Sequence, residues 1–120
     1  MTELDAEELL VALLQRQGWL VDRQVGLGHK HVDIVATLGE TYAIEVKLDR
    51  WKRAAHQAFL NSRYVHRSYV ALPRNPRRKL DWVLFHQLGV GVIEFDEDGF
   101  DFVLDAPRRA DDFLARVSDV

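Results

Sequence analysis

Two acidic residues and one lysine occur at spacings that can bring them together in a β-sheet. The stretch 41–48 is a predicted strand, and side-chain alternation places Glu45 and Lys47 on the same face of it. Asp33 lies on the corresponding face of the preceding predicted strand, 32–38. Because a predicted hairpin makes these two strands neighbours, we expect Asp33, Glu45 and Lys47 to converge.

Two carboxylates and an ammonium group at one point form a specific kind of site. Neighbouring anions repel, and a divalent cation such as Mg²⁺, with Mn²⁺ as a substitute, removes that repulsion and binds hard carboxylate oxygens. Such a metal polarises phosphoryl oxygens, and a lysine stabilises the negative charge that develops at phosphorus. The alternative is a surface ion pair between Glu45 and Lys47. Glu-x-Lys alone is a weak signal, which Asp33 on the partner strand strengthens.

A helix predicted over residues 3–17 offers a further carboxylate. Its apolar residues recur at helical spacing, and the stripe that they form is centred near Leu10. Glu7 flanks this stripe at about 80° from its centre, whereas Glu8 lies nearly opposite and should be solvated. Glu7 is therefore the better candidate to point into the site, although either glutamate can instead stabilise the helix dipole.

The elements follow the order α-β-β-β-α-β-α-β-β-α, which predicts an α/β fold with a mixed sheet flanked by helices. Gly39 and Glu40 predict a tight hairpin, and the glycine-containing stretch 26–31 predicts a loop. The apolar face of the second strand is predicted to hold Val32, Ile34, Ala36 and Leu38. The predicted helices span 3–17, 50–63, 79–88 and a short segment after Pro107, and the predicted strands span 19–25, 32–38, 41–48, 68–72, 90–95 and 100–104.

The length and composition indicate one globular domain, residues 1–120. The chain is 48% hydrophobic and 29% charged, which is ordinary globular usage. Its longest strictly apolar run, 9–14, is too short to span a membrane. Without cysteine the chain has no disulfide and no cysteine nucleophile, and we expect a cytoplasmic protein.

The net charge of −3 conceals a strong segregation along the sequence. Residues 45–80 contain ten cations and two anions, a local charge of +8, which leaves −11 for the remainder. A polyanion responds to the local field, so this segment predicts a polyanion-facing surface, although arginines can also simply solvate helix faces. The cations are Lys47, Arg50, Lys52, Arg53, Arg63, Arg67, Arg74, Arg77, Arg78 and Lys79.

Other residues offer weaker signals. His29 and His31 flank Lys30 in the predicted loop, but two histidines without a third ligand nearby make a poor metal site. We instead expect Lys30 and the loop backbone to contact phosphate. The aromatic residues of the second and third helices are expected in the core rather than stacked on bases, namely Trp51, Trp82 and Phe85.

The combination of these motifs resembles the PD-(D/E)xK, or restriction-endonuclease-like, nuclease superfamily. The chain supplies a helical Glu7, then Asp33 on one strand, then Glu45-x-Lys47 on the next, and then a glutamine-bearing helix. Residues 6–72 are most similar to archaeal Holliday-junction resolvases. The order of the motifs carries the specificity, because each motif is short.

The resemblance implies a restriction-endonuclease-like fold and a role for each matching residue. Asp33 and Glu45 would bind the metal, with the Val46 carbonyl as a further ligand and Glu7 completing the site. Lys47 would be the catalytic lysine, and Gln57 would orient the metal site or the lysine. The implied activity is Mg²⁺-dependent hydrolysis of DNA phosphodiesters, with branched DNA as the first substrate to consider. A homodimer would supply the second site that cutting two strands requires.

Several positions depart from the family pattern. Val32 replaces the usual proline, Asn61 stands where a tyrosine often follows the glutamine, and the region after Pro73 has no clear match. The alternative interpretation is a catalytically silent DNA-binding module, or a protein-interaction subunit of a repair or defence complex. Both alternatives predict that the purified chain does not cleave DNA.

Overall fold

Three helices flank a six-stranded sheet in the computed structural model, which describes residues 1–28 and 30–110. This arrangement confirms the predicted α/β class and the mixed sheet. The helices are α1 (Glu3–Arg16), α2 (Trp51–Asn61) and α3 (Trp82–Leu88), and the strands are β1 (Leu20–Leu27), β2 (Lys30–Leu38), β3 (Glu40–Val46), β4 (Arg67–Pro73), β5 (Gly91–Asp96) and β6 (Gly99–Leu104).

The strands lie side by side in chain order, from β1 to β6. The pairs β1–β2, β2–β3 and β5–β6 are antiparallel, whereas β3–β4 and β4–β5 are parallel because α2 and α3 connect them as crossovers. The carboxyl ends of β3, β4 and β5 therefore meet at one edge, which we call the C-terminal edge. The Glu45-x-Lys47 motif lies there at the end of β3, and part of the basic segment follows β4 there.

Two apolar layers cover the sheet. On one face, α1 buries Ala6, Leu10 and Leu14 against residues of β2 to β5, including Ile44 and Tyr69. On the other face, α2 and α3 bury small and aromatic side chains against β4 and β5. The members of this second cluster include Ala54, Ala55, Ala58, Phe85, Val70, Leu72 and Val92.

The start of α1 is fixed by a capping box beside the C-terminal edge. The Asp5 backbone N–H donates to the Thr2 hydroxyl oxygen at 3.1 Å, and the Asp5 carboxylate accepts from the Thr2 N–H at 3.0 Å. Gly18, with a φ of +93°, follows the last turn. The capping box holds Glu3 on the first turn of α1, where it contacts Lys47 just after the carboxyl end of β3.

Some boundaries and burial patterns differ from the sequence prediction. The loop expected at 26–31 is a tighter hairpin, because Gly26 pairs with His31 and Leu27 with Lys30. Leu38 is exposed at the end of its strand, and Val32 packs in a separate cluster with Ala43. The predicted apolar face of β2 is therefore buried at Val32, Ile34 and Ala36, and the prediction was wrong at Leu38.

The third helix is shorter than predicted and turns a different face inward. It begins at Trp82, and Phe85 is fully buried, whereas Val83 is 65% exposed and Trp82 is 48% exposed. The expectation of a core position was correct for Phe85 and wrong for Trp82. Residues 105–110 form no helix, and the apolar residues of the last predicted helix, Phe113, Leu114 and Val117, lie outside the described residues. None of the described helices is long and apolar enough to span a membrane.

Gly91 allows close packing at the start of β5, so Gly91→Ala should destabilise the fold. A Cβ there would lie 2.5 Å from the Leu104 carbonyl oxygen and would also meet the Tyr69 ring. We expect a loss of about 1–3 kcal/mol in the free energy of unfolding, measured by urea denaturation. Gly26→Ala is the matched control, because nothing lies within 4 Å of its Cβ position. Equal losses in the two variants would contradict the packing of β5 described here.

Candidate functional site

Asp33 lies where β2 separates from β3. The ladder between these strands ends at the Ile34–Ile44 pair, and the Asp33 Oδ2 atom accepts a hydrogen bond from the Val46 N–H at 2.9 Å. On the other side of β2, Gln24 has a left-handed φ of +52° and interrupts the pairing of β1 at the level of Asp33. The carboxylate therefore replaces a strand hydrogen bond and is held against the end of β3.

Glu45 is a buried carboxyl group next to Asp33, with only 5% of the residue exposed. Its Oε1 atom accepts a hydrogen bond of 2.8 Å from the Asn61 amide of α2. Burial, together with the negative charge of Asp33, raises the pKa of Glu45 to about 7. The Asn61 hydrogen bond and the charge of Lys47 oppose this shift. Two of the predicted residues thus form a carboxyl pair in which ionisation of both groups is unfavourable.

The backbone of Val46 directs its carbonyl oxygen toward this pair. The Lys47 N–H donates to the Ala71 carbonyl of β4 at 3.1 Å, so residue 47 is hydrogen-bonded on that side. Because neighbouring residues of a strand point their N–H and C=O groups to opposite sides, both groups of Val46 face β2. The Val46 N–H confirms this direction by donating to Asp33. The Val46 carbonyl therefore faces the same side of β3 as the hydrogen bond to Asp33.

Lys47 follows the last residue of β3 and is partly exposed. Its Nζ atom lies 3.7 Å from the Glu3 Oε1 atom of α1, an ion pair of which both side chains contact solvent. An exposed pair of this length holds a lysine only weakly. The Lys47 charge also acts on Glu45 and lowers the pKa of that carboxyl group. Sequence reasoning did not find Glu3, which lies one helical turn before Glu7.

Glu7 was predicted to point into the site; it is buried, and its carboxylate bonds to residues of β1. It accepts a hydrogen bond of 2.7 Å from the Arg23 guanidinium and one of 3.0 Å from the Gln24 amide. Among residues 1–28 and 30–110, no three His, Cys, Asp or Glu side chains are grouped closely enough to hold a metal ion. The structure therefore brings together Asp33 and Glu45, and it links Glu7 to the strand opposite Asp33.

The helix α2 presents two amide side chains on one face. Gln57 and Asn61 are four residues apart, so they lie on the same side of the helix, and Asn61 contacts Glu45. The Gln57 Oε1 atom is buried and has no hydrogen-bond partner among the described residues. Sequence reasoning treated Asn61 only as a departure from the family pattern, although its helical spacing from Gln57 was a usable signal.

These donors suit a hard divalent cation. Mg²⁺ is commonly held by one or two carboxylates and keeps several of its waters, so Asp33, Glu45 and the Val46 carbonyl suffice as protein ligands. A cation between the carboxylates would also remove the repulsion that raises the Glu45 pKa. The buried Gln57 oxygen has no hydrogen-bond donor among the described residues, and a metal-bound water would be a suitable donor.

The predicted DNA-contact residues divide into two groups. Three arginines are paired within the protein: Arg67 with Glu40, Arg74 with Asp96 and Asp101, and Arg78 with the backbone carbonyls of Pro73 and Leu48. The other side chains are exposed, namely Lys30, Arg50, Lys52, Arg53, Arg63, Arg77 and Lys79. His29, the other half of the rejected histidine pair, lies outside the described residues.

Several of the exposed cations surround the start of α2. An open cleft of about 420 Å³ lies among Asp49, Arg50, Trp51, Lys52 and Arg53. No side chain caps the first turn of the helix, so its N–H groups remain available to an anion. The start of α2 follows the end of β3 after four residues, which places this positive charge close to the carboxyl pair.

Comparison with known proteins gives a fold likeness. No protein-family model matches the sequence, and no curated protein matches it. A protein of unknown function from Silicibacter pomeroyi, SPO1766, superposes with a TM-score of 0.67 at 17% identity, over 95% of this chain and 78% of that one. SfsA from Pyrococcus furiosus, solved in complex with Ca²⁺, gives a TM-score of 0.47 at 13% identity, over 85% of this chain and 61% of that one. The first similarity shows a shared fold, and the second supports neither a fold family nor a function.

The Asn61–Glu45 hydrogen bond predicts a measurable coupling. Asn61→Ala removes the donor to a buried carboxyl, and we expect a loss of about 1–3 kcal/mol in the free energy of unfolding, measured in EDTA. In a Glu45→Ala background the same change should cost at least about 1 kcal/mol less, because the acceptor is already gone. Asn75→Ala is the exposed-asparagine control. Additive effects of the two substitutions would show that the bond does not stabilise the fold.

Proposed function

We propose that this protein is a Mg²⁺-dependent nuclease of the PD-(D/E)xK superfamily that hydrolyses DNA phosphodiesters. The observation that carries the proposal is the carboxyl pair of Asp33 and Glu45 beside Lys47. A pair of repelling acids held together in a buried place is costly unless a cation binds there. The exposed cations agree with a nucleic-acid substrate. A cytoplasmic setting agrees with the absence of cysteine.

Each residue has a role that its contacts support. Bound Mg²⁺ supplies Lewis-acid polarisation of the phosphoryl oxygen and a lowered pKa for the attacking water. The Val46 N–H orients Asp33, and Asn61 orients Glu45, so both carboxylates are held before the metal arrives. Lys47 places its ammonium group where negative charge develops on the phosphate. The Gln57 Oε1 atom would accept a hydrogen bond from a water bound to the metal. Glu7 supports the site indirectly, because it accepts a hydrogen bond from Gln24, which lies opposite Asp33.

The exposed cations define how a DNA strand reaches this site. The first turn of α2 follows the carboxyl end of β3, the segment after β4 follows the carboxyl end of the neighbouring strand, and both are basic. A phosphate backbone that contacts both would pass the carboxyl pair. Branched DNA is the substrate that the family resemblance favours, and linear duplex and single strands are the other candidates. One site cuts one strand, so a homodimer would be needed to cut two strands at once.

Cleavage assays test this proposal directly. The purified chain should cleave at least one of four-way junction, nicked, linear duplex or single-stranded DNA when Mg²⁺ or Mn²⁺ is present. Lys47→Ala should lower the rate by at least about a hundredfold, because it removes a charge that stabilises the transition state. Asp33→Ala should abolish cleavage together with Mg²⁺ binding, measured by titration calorimetry.

Exposed acidic residues away from the site supply the controls. Asp22→Asn and Glu8→Gln should retain wild-type rates, because both side chains lie on the surface. Cleavage that persists in folded Lys47→Ala and Asp33→Ala would show that the proposed site is wrong. Absence of cleavage on every substrate would favour the silent binding module or the interaction subunit.

Binding to DNA should depend steeply on salt. The double variant Lys52→Gln/Arg53→Gln removes two exposed cations from the start of α2. We expect the slope of log affinity against log salt for duplex DNA to decrease in magnitude by about 2, close to the value for two phosphate contacts. Arg16→Gln, which removes an exposed cation at the far end of α1, should leave the slope unchanged. An unchanged slope in the double variant would exclude this surface from phosphate contact.

A further inference from the structure

A second cleft follows β4, in the part of the chain that has no counterpart in the resolvase resemblance. It has a volume of about 660 Å³ and opens to solvent. Its walls come from residues 74–82 and from Glu94 of β5. The cleft therefore lies at the C-terminal edge, beside the carboxyl pair but separate from it.

One wall of the cleft is a buried arginine with an unused donor. The Arg78 side chain is only 7% exposed, and its terminal nitrogens donate to the carbonyls of Pro73 at 2.6 Å and Leu48 at 2.9 Å. Its Nε atom is buried and has no partner among the described residues. The Glu94 carboxylate is 3.9 Å from the guanidinium, which leaves the charge only partly neutralised. A buried N–H without a partner favours an incoming acceptor such as a phosphate or base oxygen.

The cleft is also lined by an exposed aromatic side chain, Trp82. Trp82 lines it and remains 48% exposed, although a tryptophan of this size is ordinarily covered in a monomer. An indole at a basic surface is a stacking platform for a nucleic-acid base, because every base has a π-face. Lys79 lines the same cleft with an exposed ammonium group, which suits the phosphate attached to that base. Glu94 can accept from the amino group of a base.

The position of the cleft ties it to the proposed reaction. Arg78 binds the carbonyl of Leu48, the residue that follows Lys47. The guanidinium therefore joins the wall of the cleft to the backbone that carries the lysine. A strand that runs from Lys47 along this link would reach the cleft that Arg78 and Trp82 line.

We propose that this cleft binds an unpaired nucleotide, with its base stacked on Trp82 and its phosphate held by Lys79 and Arg78. The position of that nucleotide next to the cleaved phosphate rests on the proposed nuclease function. The base must be outside a duplex, because a paired base is already stacked between its neighbours. The favoured substrates are therefore single strands, gaps, and junctions with unpaired nucleotides.

Binding measurements in EDTA test the cleft without requiring catalysis. The probes are a labelled single strand of about 12 nucleotides, a blunt duplex of the same length, and free dTMP as a competitor. Fluorescence anisotropy gives the affinities. Trp82→Ala should weaken single-strand binding by about tenfold, the size of one base–aromatic stack, and should change duplex binding by less than about twofold.

Three further variants make the result specific. Trp82→Phe should retain most of the single-strand affinity, because an aromatic face remains. Val83→Ala, which changes an exposed neighbour outside the cleft, should have no effect. Lys79→Gln should lower the salt slope for the single strand by about 0.7, the value for one phosphate. Urea unfolding confirms that each variant is folded.

The outcomes separate the sources of the ligand and the two proposals. If dTMP displaces the strand from the wild type but not from Trp82→Ala, the cleft binds a free nucleotide. If dTMP does not displace the strand from the wild type, the cleft binds a nucleotide only within a strand. Equal losses for single strand and duplex, or no loss for either, would overturn the proposal. Because no metal is present, these results stand whether or not Lys47→Ala and Asp33→Ala abolish cleavage.

Discussion

The hydrogen bond between the Asp33 carboxylate and the Val46 N–H determines how the site is built. It forms because β2 leaves β3 after the Ile34–Ile44 pair, so the end of β3 has no strand partner on that side. A side chain then satisfies the backbone donor, as a buried N–H requires. The same bond holds the Asp33 carboxylate against the end of β3, on the side that the Val46 carbonyl also faces. Continuation of the same register would place Asp33 directly opposite Glu45, so the divergence does not create the pair; it frees the Val46 N–H to bind the Asp33 carboxylate.

Opposing electrostatic effects act on the Glu45 carboxyl group. Burial and the charge of Asp33 act to keep Glu45 protonated, whereas Asn61 and Lys47 act to ionise it. The resulting pKa near 7 leaves the group able to exist in either form at neutral pH. Lys47 itself forms a long, solvent-exposed ion pair with Glu3. A group held this loosely can turn toward an anion at small energetic cost, since such surface pairs contribute little.

The convergence of Asp33 and Glu45 could be predicted from local sequence patterns. Alternation along 32–38 and 41–48 and the hairpin at Gly39 were enough to predict that Asp33 and Glu45 converge, because both effects are local. Sequence reasoning failed where distant elements decide the outcome. The hydrogen-bond partners of Glu7, Arg23 and Gln24, lie on β1. Gln24 has a left-handed backbone conformation there, which a glutamine in the sequence does not predict. The exposure of Trp82 depends on where α3 starts, and a helix of seven residues has too little periodicity to show which face it buries.

The hairpin that joins the two carboxylates also bears on the order of folding. Its turn is the single residue Gly39, with a φ of +73°, and Asp33 and Glu45 are only twelve residues apart in the sequence. Closing so short a loop costs little chain entropy, so this pairing can form before the parallel contacts that must wait for α2. The acids are then brought together before Asn61 arrives to stabilise one of them. When both acids are ionised, their repulsion therefore opposes the same short hairpin that brings them together.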